Sequence, residues 1–372
     1  MVDARVIKLA EGLVNYSCQV QKGENVLIHT IDVDDALIEA LIKAVHRAGG
    51  NAFVDNERSA VTRQLLMGAS KEQIDLLTTF DAARMAKMDC FIGVRGANNV
   101  TQNKDVPPET MEYYTSDYYQ PVHFDIRVPK TKWVVLRYPT PNMAQMADMS
   151  TEAFEDFYFK VCNLDYSKMD KAMDALKDLM EKTDKVRLVG KNTDIAFSIK
   201  GINAVKCAGD RNIPDGEVYT APVKDSVNGT ITYNTHSNNR GFKFENVSLT
   251  FKDGKIVDAK SNNDELINKI FDTDEGARYV GEFAIGVNPY ITKAMGDILF
   301  DEKIAGSIHF TPGASYDEAF NGNKSSVHWD LVMIQTPEFG GGEIFFDDVL
   351  IRKDGLFVLD SLKPLNPENL KS

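Results

Sequence analysis

His328 and Asp330 stand two residues apart in the stretch KSSVHWDLVMIQ, which otherwise reads as a buried strand. Side chains alternate along a strand, so Ser326, His328, Asp330 and Val332 share one face, and Val327, Trp329, Leu331 and Met333 share the other. An imidazole and a carboxylate on one face can ligate a metal, take part in catalysis, or satisfy each other. His309 repeats the pattern in GSIHFTPG, on a face with Ser307 and Thr311 and opposite Ile308 and Phe310.

Two glutamates show the same anomaly. Glu282 in ARYVGEFAIGVNP lies on the face of Val280 and Ala284, and Glu217 opens EVYTAPV directly after the turn NIPDG. A buried glutamate without a partner costs several kcal/mol or stays protonated, so Glu282 requires a cation, either Arg278 or a metal ion. Of the six histidines, His29, His46 and His123 fall in the first half of the chain, and His236 lies in the polar loop YNTHSNNRG, where exposure is expected. Singly, each of these groups has a structural reading: an ion pair, a turn cap, a satisfied core histidine. Jointly, two imidazoles and three carboxylates on polar strand faces form a suitable ligand set for two divalent cations sharing a bridging group.

The elements that must position these residues follow two patterns. In the first half, strand-like ENVLIHT, NAFVDN, DCFIGVRG and KWVVLRYP alternate with helical segments, among them DVDDALIEALIKAVHRAGG and SKEQIDLLTTFDAARMAKM, which opens on a Ser70-to-Gln73 capping box. Such alternation predicts a doubly wound α/β domain with a mostly parallel sheet. After the charged helix YSKMDKAMDALKDLMEKTD the segments become short strands between turns, including an Asp253-Gly254 hairpin, with one helix expected at YITKAMGDILFDEKIAG. The expected division is an α/β scaffold or gating domain over 1–185 and a β-rich α+β catalytic domain over 186–372. Neither a dinucleotide glycine fingerprint after the first strand nor a P-loop occurs.

Composition narrows the partners. A formal net charge of −13 argues against binding nucleic acid or an anionic membrane, and 43% hydrophobic residues support sizeable cores. With neither a secretion-type leader nor an apolar run long enough to span a bilayer, the cytoplasm is the expected compartment. Cys18, Cys90, Cys162 and Cys207 lie far apart, none in a Cys-x-x-Cys pair, so they are expected to be reduced and structural. A metal site would then use His, Asp and Glu, which favours zinc, cobalt, manganese or magnesium.

The motifs NIPDGEVYTAP, GEFAIGVNP, DEKIAGSIHFTPGASY and VHWDL occur in the order and approximate spacing of the thermophilic-type metallo-aminopeptidase family, the aminopeptidase T and aminopeptidase S group. The chain resembles that family in its first half as well, through LVNYSCQVQKGENVLI, RYPTPNMAQMADMS and FEDFYF. The resemblance implies a cytoplasmic homodimeric aminopeptidase with two metal ions, whose first domain helps enclose the active site and whose substrates are peptides with a free N-terminus. It places metal ligands at Glu217, Glu282, His309, His328 and Asp330, and an active-site tyrosine at Tyr316. Glu282 is then the expected general base and Tyr316 the expected oxyanion donor. The segment between His309 and His328 is shorter than in better-known members, which bears on substrate preference. Two other readings remain open: a different metal-dependent amidohydrolase or dipeptidase, and a non-catalytic peptide-binding protein.

Overall fold

The computed structural model describes residues 3–96, 98–239 and 241–371. Two compact units result: one comprises residues up to Asn163 with Gly209–Ile213, the other Leu164–Ala208 with residues from Pro214 onward. Among the described residues no helix is long and apolar enough to cross a membrane.

The first unit carries a five-stranded sheet in the order Asn51–Glu57, Asn25–Ile31, Cys90–Gly96, Lys132–Tyr138, Asn212–Ile213, with every pairing parallel. Strands Asn25–Ile31 and Cys90–Gly96 are buried along nearly their whole length, as their continuous apolar runs require. Helix Asp35–Arg47 buries Leu37, Leu41 and Ala44, and places His46 and Arg47 at its carboxyl end. Helix Lys71–Met85 begins with the Ser70 hydroxyl accepting from the Gln73 N–H. Periodicity gave no sign of Tyr114–Arg127, which is wound as a π-helix through Pro121 and packs Tyr118 and Val122 against Leu27 and Phe91. A further addition is Asn212–Ile213, which reaches the parallel sheet from far along the chain.

The division expected near residue 185 falls after helix Tyr166–Lys182, whereas the compact units divide before it. Side-chain contacts tie that helix to the second unit. Lys206 Nζ lies 2.8 Å from Asp170 and 2.6 Å from Asp174, and Tyr166 Oη accepts from the Asp215 N–H at 3.2 Å.

Among the described residues the second unit carries a large and a smaller antiparallel sheet, besides a two-stranded antiparallel ribbon of Ser237–Asn239 and Phe242–Phe244. The larger has eight strands between Lys185 and Phe357, including the hairpin Ser248–Lys252 and Lys255–Lys260, turned by Asp253 and Gly254 at φ 49° and 81°. The smaller has the order Val332–Ile334, Ser307–Pro312, Val280–Gly286, Glu217–Thr220, Val205–Cys207. Rings of Phe197 and Phe251, from the larger sheet, pack within 4.9 and 5.9 Å of Phe310, and Phe197 lies 5.1 Å from Phe283. Apolar alternation thus seals one face of the smaller sheet and leaves the other for polar groups.

Two expected elements are shorter than their sequence pattern. The strand around His328 is regular only over Val332–Ile334; His328 itself makes an isolated antiparallel bridge to Gly313, while Val332 pairs directly with His309 and so shares its face. Alternation survives in the extended segment before it, since Val327, Trp329 and Leu331 are buried. At YITKAMGDILFDEKIAG only Ile298–Asp301 is helical, because the Asp301 carboxylate accepts from the Met295 and Gly296 N–H groups and holds the preceding chain in a turn.

Gly313 fixes the His328 bridge. Its φ is +111°, and a Cβ there would sit 2.0 Å from the Val327 carbonyl oxygen. Gly313→Ala should therefore destabilise the protein by about 2 kcal/mol or more and lower the unfolding midpoint in urea. An unchanged midpoint would show that the backbone here adapts freely.

Candidate metal centre

Three adjacent strands and one extended segment bring the five sequence-selected donors together. Glu217 starts its strand opposite Gly286, while Ala284 pairs with His309 and Glu282 with Thr311 across a register shift between Val280 and Glu282. Asp330 is reached by Thr311, whose hydroxyl donates to Oδ1 at 2.8 Å. His309 Nε2 lies 2.9 Å from Glu282 Oε1 and 3.5 Å from Glu217 Oε2. His328 Nε2 lies 3.4 Å from Glu282 Oε2 and 3.3 Å from Asp330 Oδ1. Each oxygen of Glu282 therefore faces a different imidazole.

Arg278, the alternative cation for Glu282, is engaged elsewhere: its guanidinium donates to Asp272 at 2.7 Å and to Asn268 at 3.1 Å. Tyr316 stands beside the cluster, its ring centroid 4.7 Å from that of His328 and 5.8 Å from that of Tyr219.

Three further charged residues belong to the cluster and were not singled out from sequence: Asp215, Glu302 and Lys303. Donor atoms of Glu302, His309 and Asp330 lie within 4.8 Å of one another, as do those of Glu217, Glu282 and His309, and those of Glu282, His328 and Asp330. Lys303 is fully buried and pairs with Glu217 at 2.5 Å and Glu302 at 2.8 Å. Their signal was adjacency: Glu302-Lys303 opens the motif that contains His309, and Asp215 immediately precedes Gly216-Glu217. Charged residues next to turns are ordinarily surface residues, so adjacency alone does not distinguish them.

Burial sharpens the electrostatics. Desolvation lowers the affinity of both imidazoles for protons, but neighbouring carboxylates outweigh it. Glu217, Glu282 and Asp330 raise His309 to about 9, and Asp330 and Glu282 raise His328 to about 11. For Asp330 desolvation acts upward, yet His328, His309 and Thr311 hold it below the usual carboxylate range. Glu302 is pushed up to about 8 by burial, with Lys303 opposing. Desolvation and the surrounding carboxylates keep the Tyr316 phenol protonated. The field that draws protons onto these imidazoles is the field that attracts a divalent cation.

The donor set fits a divalent metal on observations of its own. His328 Nδ1 lies 2.8 Å from the Ala314 carbonyl, to which it donates, leaving Nε2 buried and without a hydrogen bond. Glu217 Oε2 is likewise buried and unbonded. An imidazole oriented by a carbonyl, with its other nitrogen turned to a carboxylate cluster, is the usual arrangement of a histidine ligand. By contrast, the group His29, Asp55 and Glu57 in the first unit is internally satisfied, with His29 Nε2 2.8 Å from Glu57 and Arg84 on Asp55.

Known proteins resemble this chain along most of its length. The family model for thermophilic metalloproteases (M29) matches residues 2–344. Aminopeptidase 2 of Geobacillus stearothermophilus is 24% identical over 346 residues, covering 83% of this chain and 83% of that protein. The structure of wild-type AmpT from Thermus thermophilus superposes with a TM-score of 0.79 at 21% identity, covering 95% of this chain and 99% of the other. A 2,5-dihydroxypyridine dioxygenase from Pseudomonas putida KT2440 shares the fold at a TM-score of 0.61 and 14% identity, with 96% and 98% covered.

Because the donors are buried, a bound ion should stabilise the folded chain over the unfolded one. After chelation, excess zinc, cobalt, manganese or magnesium is expected to raise the thermal midpoint by several degrees for at least one of the four. No shift with any of them would indicate that the carboxylates and imidazoles satisfy one another.

Proposed function

The chain belongs to the thermophilic metalloprotease (M29) family of peptide-bond hydrolases, and from that premise we propose that it is an aminopeptidase using two divalent ions to release the N-terminal residue of peptides. The observation that carries this reading is the division of the donors into two triads, Glu217–Glu282–His309 and Glu282–His328–Asp330, which share Glu282. Each triad would hold one ion, with Glu282 a member of both. When bound, such ions lower the pKa of a coordinated water towards neutrality and polarise the scissile carbonyl.

The protein's own groups do the rest. Glu282, set between the two triads, takes the proton of the attacking water and delivers it to the leaving amine. Tyr316, partly exposed and with its ring tilted against that of His328, donates a hydrogen bond to the developing oxyanion. Glu302 and Asp330 have side chains 15% and 16% exposed, against 6% and 4% for Glu217 and Glu282, so they are the carboxylates a substrate's α-ammonium meets. That contact is what restricts cleavage to the first residue.

The same reading takes the protein as a cytoplasmic homodimer. Free cysteines at all four positions are consistent with a reducing compartment, and the edge strand Asn51–Glu57 leaves Phe53 and Val54 partly exposed for association.

Peptides with free N-termini should lose only their first residue in a metal-dependent manner, and N-acetylated versions should resist. Cleavage of acetylated or internal bonds would overturn the assignment. Asp330→Ala should nearly abolish turnover with the fold retained, and near-normal turnover would remove Asp330 from the ligand set. Tyr316→Phe should lower kcat by about 10²–10³ while leaving metal content unchanged. Unchanged kcat would exclude the oxyanion role.

A further inference from the structure

Lys303 has a side chain only 1% exposed, and its ammonium lies 2.5 Å from Glu217 Oε1, 2.8 Å from Glu302 Oε1 and 3.4 Å from Asp215 Oδ1. Backbone contacts deliver it there. The Lys303 carbonyl accepts from the Asn288 N–H at 2.9 Å, and the Asn288 side chain donates to the Asp215 carbonyl at 2.8 Å. Asn288 also bridges to Ile304 as a parallel partner. An ammonium removed from water costs several kcal/mol unless paired, so such a residue persists only where negative charge holds it.

The surroundings are those of a cation site. Donor atoms of Cys207, Asp215 and Glu217 lie within 4.8 Å of one another, a thiol and two carboxylates of the kind that take zinc or cobalt. At Asp215 and Glu217 the cation is the lysine. Glu217 is thereby engaged through Oε1 alone, while Oε2 is buried, accepts no hydrogen bond and faces His309 Nε2 at 3.5 Å.

We propose that Lys303 is a built-in cation that fills the Cys207–Asp215–Glu217 position in place of a metal ion and so positions Glu217 to offer a single oxygen, Oε2, to the metal centre. The second half of this inference rests on the reading of Glu217 as a metal ligand. Its consequence is that Glu217 keeps its orientation whether or not metal is present. Divalent ions are confined to the Glu282 side of the cluster.

The test replaces the ammonium and reads the metal directly. Native protein and Lys303→Ala are freed of metal with chelator and titrated with Co2+, with bound metal counted and the near-ultraviolet spectrum recorded. Sulfur coordination to Co2+ gives an intense charge-transfer band that carboxylates and imidazoles do not. Native protein should show no such band. The variant should take up about one further Co2+ per chain, with Cys207 releasing its thiol proton to solvent, and should show the band. The band should vanish in Lys303→Ala/Cys207→Ser. Should the variant be unfolded without metal, Co2+ is expected to refold it with the same band; a variant that stays unfolded in excess Co2+ counts against the proposal. A folded variant with the native metal count and no band overturns it. If the variant alone takes up Co2+, the built-in cation stands and the metallopeptidase reading falls; if neither protein takes up Co2+, both fall.

Discussion

Glu282, buried and facing one imidazole through each oxygen, sets the terms for the rest of the second unit. A carboxylate cannot be held there without compensating charge, and the strands around it are arranged to supply it. His309 comes from the neighbouring strand, His328 from the segment bridged to Gly313, and Lys303 from the turn hooked to Asn288. Around them Asp215, Glu217, Glu302 and Asp330 add four more carboxyl groups. One ammonium and two imidazoles are a poor match for so much buried negative charge, and divalent cations are a good one.

The apolar side of the same strands makes this concentration affordable. Phe283 and Phe310 alternate with Glu282 and His309, so the residues that carry the polar cluster are anchored through their neighbours to Phe197 and Phe251 of the larger sheet. A donor displaced from its position would drag an aromatic side chain with it. That coupling explains why Glu282 and His309 sit on strands rather than on flexible loops. It also explains why the least regular donor, His328, is pinned by a carbonyl on Nδ1 and by a glycine that no side chain can replace.

How far this was legible depends on the physics each residue expresses. Glu282 in VGEFAIG and His309 in SIHFTP stand out in the sequence as charged or titratable groups inside apolar strands, and the parallel sheet follows from the alternation of strand and helix patterns. Glu282, His309, His328 and Asp330 are readable because each interrupts an apolar pattern, whereas Glu217 opens a strand after a turn and stands out less. Glu302 and Lys303 interrupt nothing, since a charged dipeptide beside a turn looks like surface, and only tertiary contact shows Lys303 buried with Glu302 paired to it. The long helix expected over residues 290–306 gave way to a turn held by the Asp301 carboxylate, a side-chain bond that periodicity does not register. The π-helix Tyr114–Arg127 and the returning strand Asn212–Ile213 depend on packing between distant segments, which a local pattern does not contain.

A fold shared by proteins named for aminopeptidase and dioxygenase activities does not fix the reaction; the side chains at the site do. In the proposed function Glu282 would be common to the residues holding two ions. Anomalous diffraction from crystals grown with zinc, measured on both sides of the zinc absorption edge, tests it most directly. Two peaks flanking Glu282 are expected, one against Glu217 and His309 and the other against His328 and Asp330. A single peak that leaves Glu282 uncoordinated, or no peak at this cluster, would contradict it.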